Sequence, residues 1–245
     1  MFKILKKNNG FLALLCFLSL FSGCLRAEAD LDFAQSEQRY VYDVFYKNIS
    51  AGKISREFRH EGNRVTVNTT ADLAFLFYHF GGNQLSHIYW DASSEQFLAE
   101  KFVRNSVGFS TVSMQAEFLK GGYKTRITRE GKVSEFTNET KKIIDFNTIT
   151  LQISQGLKAG QSHFEFYMQT SDSVAHYFFE VTGKEVIDTK FGQLTAYRLQ
   201  QTGKKDRKFI AWFAPEMNYQ MVKFHYKRRL LDINGVISER SMITL

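Results

Sequence analysis

Val112-Ser113-Met114-Gln115-Ala116-Glu117-Phe118 decides the fold class of this chain. Its apolar side chains stand at every second position, with Ser113, Gln115 and Glu117 between them. A strand turns successive side chains to opposite faces, so the segment makes one dry face and one wet face. A helix would scatter the same residues around its axis. The pattern recurs outward in both directions. Val65 and Val67 alternate with Arg64, Thr66 and Asn68, and Phe164, Phe166 and Met168 with His163, Glu165 and Tyr167. Val222, Phe224 and Tyr226 likewise oppose Lys223, His225 and Lys227.

Turn chemistry separates these runs. Gly62-Asn63, Gly121-Gly122, Glu130-Gly131 and Asn234-Gly235 read as hairpin turns, where glycine supplies the positive φ. Ala51-Gly52, Gly183 and Gly203 punctuate the rest, and the single proline, Pro215, spares the ladders. Spacings of roughly 10 to 15 residues predict long antiparallel strands in a meander rather than βαβ units. One segment breaks the rhythm. Ile149, Ile153 and Leu157 repeat at helical spacing after a capping Asn147 and before Gly160, which predicts a helix over 148–158. It divides the meander into halves of about 39–138 and 163–244.

So many strands must close or curl to hide their edges. The expected class is all-β with one short helix. An antiparallel meander would form a strongly curved sheet, half-barrel, barrel or sandwich, and the mid-chain helix favours a curved sheet with a covered concave side.

The first residues read as an export signal. Lys3, Lys6 and Lys7 precede the apolar run 11–21, and Ala27-Glu28-Ala29 is a small-x-small cleavage site between Ala29 and Asp30. The expected organisation is a leader, 1–29, and a single β-rich domain, 30–245, in the periplasm of a Gram-negative bacterium. The apolar run is too short to cross a bilayer. Phe21-Ser22-Gly23-Cys24 offers an alternative, a lipoprotein box in which an acylated Cys24 would anchor the chain to a membrane. Both cysteines, Cys16 and Cys24, lie in the leader, so cleavage after Ala29 leaves no disulfide, thiol nucleophile or cysteine metal ligand. It also removes four basic residues and Glu28, so the net charge of +7 falls by three. The remaining excess, in that compartment, argues against nucleic acid as a partner.

Four stretches together resemble a family of exported bacterial proteins of unknown function. They are Tyr40-Val41-Tyr42-Asp43-Val44 with Ser50-Ala51-Gly52-Lys53, then Asp145 and the helix around Leu151 and Leu157. Val181-Thr182-Gly183-Lys184-Glu185 with Phe191-Gly192 follows, and finally Trp212-Phe213-Ala214-Pro215 with Val222-Lys223. Met221 stands where the family pattern carries proline. The resemblance implies a curved antiparallel sheet similar in shape to lipoprotein carriers, whose concave face receives acyl chains, and it implies no catalytic residue.

Signatures for nucleophile elbows, zinc helices, phosphate loops and Cys-x-x-Cys pairs are absent from the sequence. His79 and His87 flank Gly81-Gly82, with Asp91 beyond. If that segment folded back, the three could meet as a metal or acid–base site, although each histidine also fits as the polar rim of an aromatic cluster. Asp43, Glu100 and Glu117 could form a facing carboxylate pair, but as strand residues they read more simply as a solvated face. The chain holds 24 Phe, 11 Tyr and 2 Trp. Leu73-Ala74-Phe75-Leu76-Phe77-Tyr78 and Tyr177-Phe178-Phe179 suggest strands buried on both faces. Lys204, Lys205, Arg207 and Lys208 form a basic run at an expected hairpin tip, and Lys227-Arg228-Arg229 ends another strand.

The leading expectation is a non-enzymatic periplasmic β-protein that binds an apolar, lipid-like ligand or an envelope protein partner, with no cofactor or metal. One alternative is an envelope hydrolase working through His79, His87 and Asp91. The other is a small outer-membrane β-barrel, which Lys101, Lys124 and Arg126 fit poorly.

Overall fold

The computed structural model describes residues 35–75, 77–108 and 111–244. The leader, the Ala29–Asp30 cleavage site and Cys24 lie outside the described residues. The alternation at 112–118 becomes a strand with Met114, Ala116 and Phe118 buried, one of eight in the first half. These are β1 (Ser36–Tyr46), β2 (Ile49–Glu61), β3 (Arg64–Phe75), β4 (Tyr78–Asp91), β5 (Gln96–Val107), β6 (Val112–Leu119), β7 (Lys124–Arg129) and β8 (Lys132–Thr137). A two-residue strand, β9 (Ile143–Ile144), leads into helix α1 (Phe146–Lys158). The second half holds β10 (His163–Gln169), β11 (Val174–Thr189), β12 (Gly192–Thr202), β13 (Lys208–Ala214), β14 (Gln220–Arg228) and β15 (Leu231–Thr244).

All fifteen described strands join one sheet, in the order β8 to β1, then β15 down to β9. Two meanders therefore meet back to back where β1 pairs antiparallel with β15, from Ser36 opposite Thr244 to Tyr46 opposite Ile233. The pairing is antiparallel throughout except between β9 and β10. The chain must then pass from one edge of the sheet, β8, to the other, β9, through residues 138–142 alone. So short a link spans about 20 Å at most. Laid flat, fifteen strands would hold those edges about 65 Å apart. The sheet has to roll up.

Contacts across the seam show that it does. A second apolar cluster sets Ala116 and Ile127 of the first half with Ile143 of β9, flanked by Tyr167 and Val174 of β10 and β11. Thr125 Oγ1 donates to Gln169 Oε1 at 2.5 Å, and Lys142 reaches Asp91 at 3.2 Å and Ser94 at 2.8 Å.

Helix α1 fills the inside. Ile149, Ile153 and Leu157 are buried in the main core with Tyr42, Phe58, Val67, Phe164 and Phe213 from both halves. Each such side chain contributes about 1.5–3 kcal/mol on burial. The helix begins two residues before the expected 148, because Asp145 rather than Asn147 caps it, accepting from the backbone N–H of Asn147 and Thr148. Asn147 is itself buried and turns to the sheet, where Ser86 and Thr69 meet it.

The glycines sort into turns and close approaches. Gly62-Asn63 and Glu130-Gly131 make the expected hairpins, while Gly121-Gly122 belongs to a single 3-10 turn, Lys120–Gly122. Asn234-Gly235 is not a turn. It lies inside β15, where a Cβ on Gly235 would stand 2.1 Å from the Phe224 ring, and the reversal falls instead at Arg229-Leu230. Gly81-Gly82 likewise runs within β4, with Gly82 pressed against the backbone of β5. The expected both-face burial fails as well. Phe77 is 100% exposed at the β3–β4 tip, and Phe178 points outward between buried Tyr177 and Phe179.

Candidate functional site

Because β4 is continuous, His79 and Asp91 sit at opposite ends of one strand, twelve residues and about 40 Å apart. The proposed meeting of His79, His87 and Asp91 does not occur. His79 Nε2 pairs with Asp72 at 2.8 Å, and His87 Nδ1 lies 3.5 Å from Thr66 Oγ1. Asp91 accepts from Ser94 and Ser93, and with Lys142 these hold its carboxyl far below the usual range. Among the described residues no three His, Cys, Asp or Glu side chains gather as a metal site.

The carboxylates Asp43, Glu100 and Glu117 are dispersed too. Glu100 pairs with Arg64, and Glu117 with Arg126 at 3.7 Å. Burial pushes the Asp43 carboxyl up, but hydrogen bonds from Lys190 and Ser238 and the charge of Lys53 outweigh it, so the net direction is downward.

The densest buried polar cluster lies where α1 meets the sheet. Asp145, fully buried, accepts from Ser86 Oγ at 2.9 Å and Thr148 Oγ1 at 2.9 Å besides its two backbone donors. Burial still drives its pKa upward. Arg56, also buried, donates to Thr150 Oγ1 at 2.7 Å, and burial lowers its pKa. Tyr42 donates to the Met221 carbonyl at 2.7 Å and accepts from Gln220, with burial pushing its hydroxyl to about 12. Every one of these groups has a partner, so the cluster staples the helix to the sheet. Its residues are satisfied rather than poised.

The outer face carries a groove of about 630 Å³ over β1 to β5, with Ser241 and Ile243 of β15 at its rim. Register builds it. Glu37, Arg59, Thr66 and His87 stand opposite one another across four strands, and Arg39, Glu57 and Asn68 form the next outward row. Strand alternation keeps the intervening Phe58, Val65 and Ile88 turned to the core. The lining is held by exposed ion pairs. Arg59 bonds Glu37 at 2.7 Å, Arg39 lies 3.4 Å from Glu57, and Arg64 pairs with Glu100. Exposed pairs of this kind contribute about 0–1 kcal/mol each, so an incoming charged group can exchange with them at little cost. The size falls within the range of ligand sites, while the charged lining suits a polar ligand better than an acyl chain. Sequence reading placed Thr66 and Arg64 on a wet face. It missed the groove, because that depends on β1, β2 and β15 lying side by side.

A family model described as "Protein of unknown function (DUF3108)" matches residues 41–230. Among solved structures, the chain is similar to a beta-barrel-like protein of domain of unknown function DUF1849 from Brucella abortus. The two share 12% identity at a TM-score of 0.58, with 86% of this chain and 100% of that one covered. At that identity the likeness speaks for the fold alone. No curated protein matches the sequence.

Proposed function

Since the chain belongs to a family of proteins of unknown function (DUF3108), we propose its role from its own geometry: a non-enzymatic binding protein of the bacterial envelope that receives a polar segment of a protein partner in the outer groove. One observation carries this reading. The inner face, where a lipoprotein carrier would hold acyl chains, is occupied by α1 through Ile149, Ile153 and Leu157, while the outer face offers a cavity of ligand size. Of the two ligand classes expected from the sequence, the protein partner therefore fits better than the enclosed lipid. The dispersal of His79, His87 and Asp91 removes the arrangement on which the hydrolase alternative rested. Export through the leader supplies the compartment in this proposal.

The groove selects for chemistry as well as size. Its three arginines and its glutamates alternate in sign as opposite-charge pairs, so a segment carrying both charges satisfies more of them than a uniformly charged one. The test is photo-crosslinking in the native envelope with a photoreactive residue at Thr66 or His87 and a control at Asp188, which is exposed on β11. A discrete adduct from the groove positions, absent from the control and lost on Arg59→Glu, supports the proposal. Equal labelling at all three positions overturns it.

A further inference from the structure

The hairpin tips at one end of the rolled sheet combine strongly exposed apolar side chains with a run of cations. The turns after β1, β3, β12 and β14 all fall at this end, as the pairings Tyr46–Ile49, Phe75–Tyr78, Lys208–Lys227 and Arg228–Leu231 require. Because β3, β2, β1, β15, β14, β13 and β12 are consecutive in the sheet, these tips stand in one row. The row exposes large apolar side chains: Phe77 is 100% exposed, Leu230 73% and Ile49 72%. Single exposed apolar residues are ordinary. Here, however, Leu230 stands at a tight turn, a position that favours glycine, asparagine or aspartate, and Phe77 stands at the β3–β4 tip, with the β1–β2 tip and Ile49 between them. Neither packs a core. At the opposite end the turns run through Gly62-Asn63 and Ser93-Ser94-Glu95, and the exposed apolar side chains there, Phe191, Tyr123, Met242 and Ile243, are each less exposed than Phe77, Leu230 and Ile49.

The same row is basic. Residues 203–208 and 227–232 carry seven lysine and arginine side chains against two aspartates. Both aspartates are already engaged, Asp206 by Arg207 at 2.8 Å and Arg228 at 3.3 Å, and Asp232 by Lys227 at 2.8 Å and His225 at 2.8 Å. Lys205, Lys208 and Arg229 are exposed, and Lys47 extends the charge to the β1–β2 tip.

We propose that this row of tips is a docking surface for an anionic phospholipid bilayer, with Phe77, Leu230 and Ile49 entering the headgroup boundary and the flanking lysines and arginines meeting phosphates. Charge complementarity selects the occupant. A neutral protein patch would satisfy the apolar tips and leave the cations stranded, whereas an anionic leaflet satisfies both at one depth. The inference goes beyond the groove, which lies on the side of the sheet and faces along the membrane when the tips point into it.

Co-sedimentation of the purified protein with phosphatidylcholine vesicles, with and without phosphatidylglycerol, tests this directly. Binding to the mixed vesicles alone, weakening as salt is raised, is expected. Each basic residue near such a surface contributes about 1 kcal/mol, or about fivefold, so Lys205→Ala with Arg229→Ala should weaken binding about 25-fold. Phe77→Ser with Leu230→Ser should cost on the order of tenfold while leaving circular dichroism unchanged. Arg59→Ala with Arg64→Ala, in the groove, should leave vesicle binding as it was, which separates failure here from failure of the partner proposal. Equal binding to neutral vesicles, no binding to either, or full binding by the tip variants would overturn the proposal.

Discussion

Asp145→Ala should be among the most damaging single substitutions in this protein, although Asp145 touches no surface. The carboxylate is fully buried and accepts four hydrogen bonds, from the backbone N–H of Asn147 at 2.8 Å and Thr148 at 3.1 Å and from the hydroxyls of Ser86 and Thr148 at 2.9 Å. Loss of an N-cap costs about 0.5–2 kcal/mol, and each buried donor left without an acceptor about 1–3 kcal/mol. Two hydroxyls can rotate away, and the penalty of a buried charge disappears, so a net loss of about 3–4 kcal/mol is expected. In a chain of this size that lowers the melting temperature by about 10 °C. Asp145→Asn keeps one oxygen in place for three of the four donors and should cost no more than about 1 kcal/mol at neutral pH.

The comparison carries a pH signature. Burial raises the Asp145 pKa in the folded state, so in the window between its unfolded value of 3.8 and that raised value the folded state holds the extra proton. Stability from this group is full below the window and falls as pH rises through it. Asparagine does not titrate, so the deficit of Asp145→Asn should shrink between pH 4 and neutrality. Urea melts followed by circular dichroism measure both quantities. An Asp145→Ala loss under about 1 kcal/mol, or a deficit for Asp145→Asn that grows with pH, would refute the reasoning.

Gly235→Val should destabilise by about 1–3 kcal/mol, since the new Cβ meets the Phe224 ring, and a Phe224→Leu background should recover part of the loss in thermal melts. Asp232 and Glu239 are held below their usual range by hydrogen bonds from Lys227 and Lys53 respectively, with the neighbouring charges adding to each, so their contribution is present above about pH 4 and disappears as pH falls through their folded values. Melting temperatures from pH 6 down to pH 3 should fall less steeply in Lys53→Ala with Lys227→Ala than in the parent. Alanine at His79 should leave crosslinking at Thr66 and the melting temperature near those of the parent, because His79 stands at the far end of β4 from Asp91, paired only with the exposed Asp72, and has no joint chemistry with Asp91 to lose.

The sheet was legible in the sequence because period-two alternation is a local property with a single physical cause. Met114, Ala116 and Phe118 are buried as their pattern requires, and so are Val65, Val67, Val222 and Phe224. The division around one helix was legible too, through Ile149, Ile153 and Leu157. What the pattern could not carry was pairing between distant segments. β1 lies beside β15, and nothing in 36–46 or 231–244 names the other. Glycine misled where it serves contact instead of reversal. Gly235 looks like a turn beside Asn234, yet it clears space for a ring across the strand. The β1–β2 turn was missed for the converse reason, since Lys47 and Asn48 adopt φ of 47° and 69° without glycine. Aromatic runs misled in the same way, because a strand that reads apolar on both faces can also be one that ends in an exposed tip at Phe77.

The stretches that carry the family resemblance meet one another in the folded protein, which explains what they are for. Tyr42 of the first bonds the backbone of Met221 beside the last. Glu185 of the third accepts from Trp212 Nε1 of the fourth at 2.7 Å, and Gly52 of the first presses on the backbone of Asp72 in the neighbouring strand. Asp145 caps the helix that fills the inside. These residues close the sheet on its helix, and they describe a scaffold. The groove is built differently, since Glu37, Arg39, Ser241 and Ile243 fall outside the matched range of 41–230. On the partner reading proposed above, the unmatched termini would tune a groove whose other walls, with Arg59, Arg64, Thr66 and His87, lie within the matched range. Grafting 36–40 and 240–244 from another member should therefore change which partner crosslinks at Thr66 while leaving the melting temperature near that of the parent. A change in stability with unchanged crosslinking would show instead that these terminal strands serve the fold.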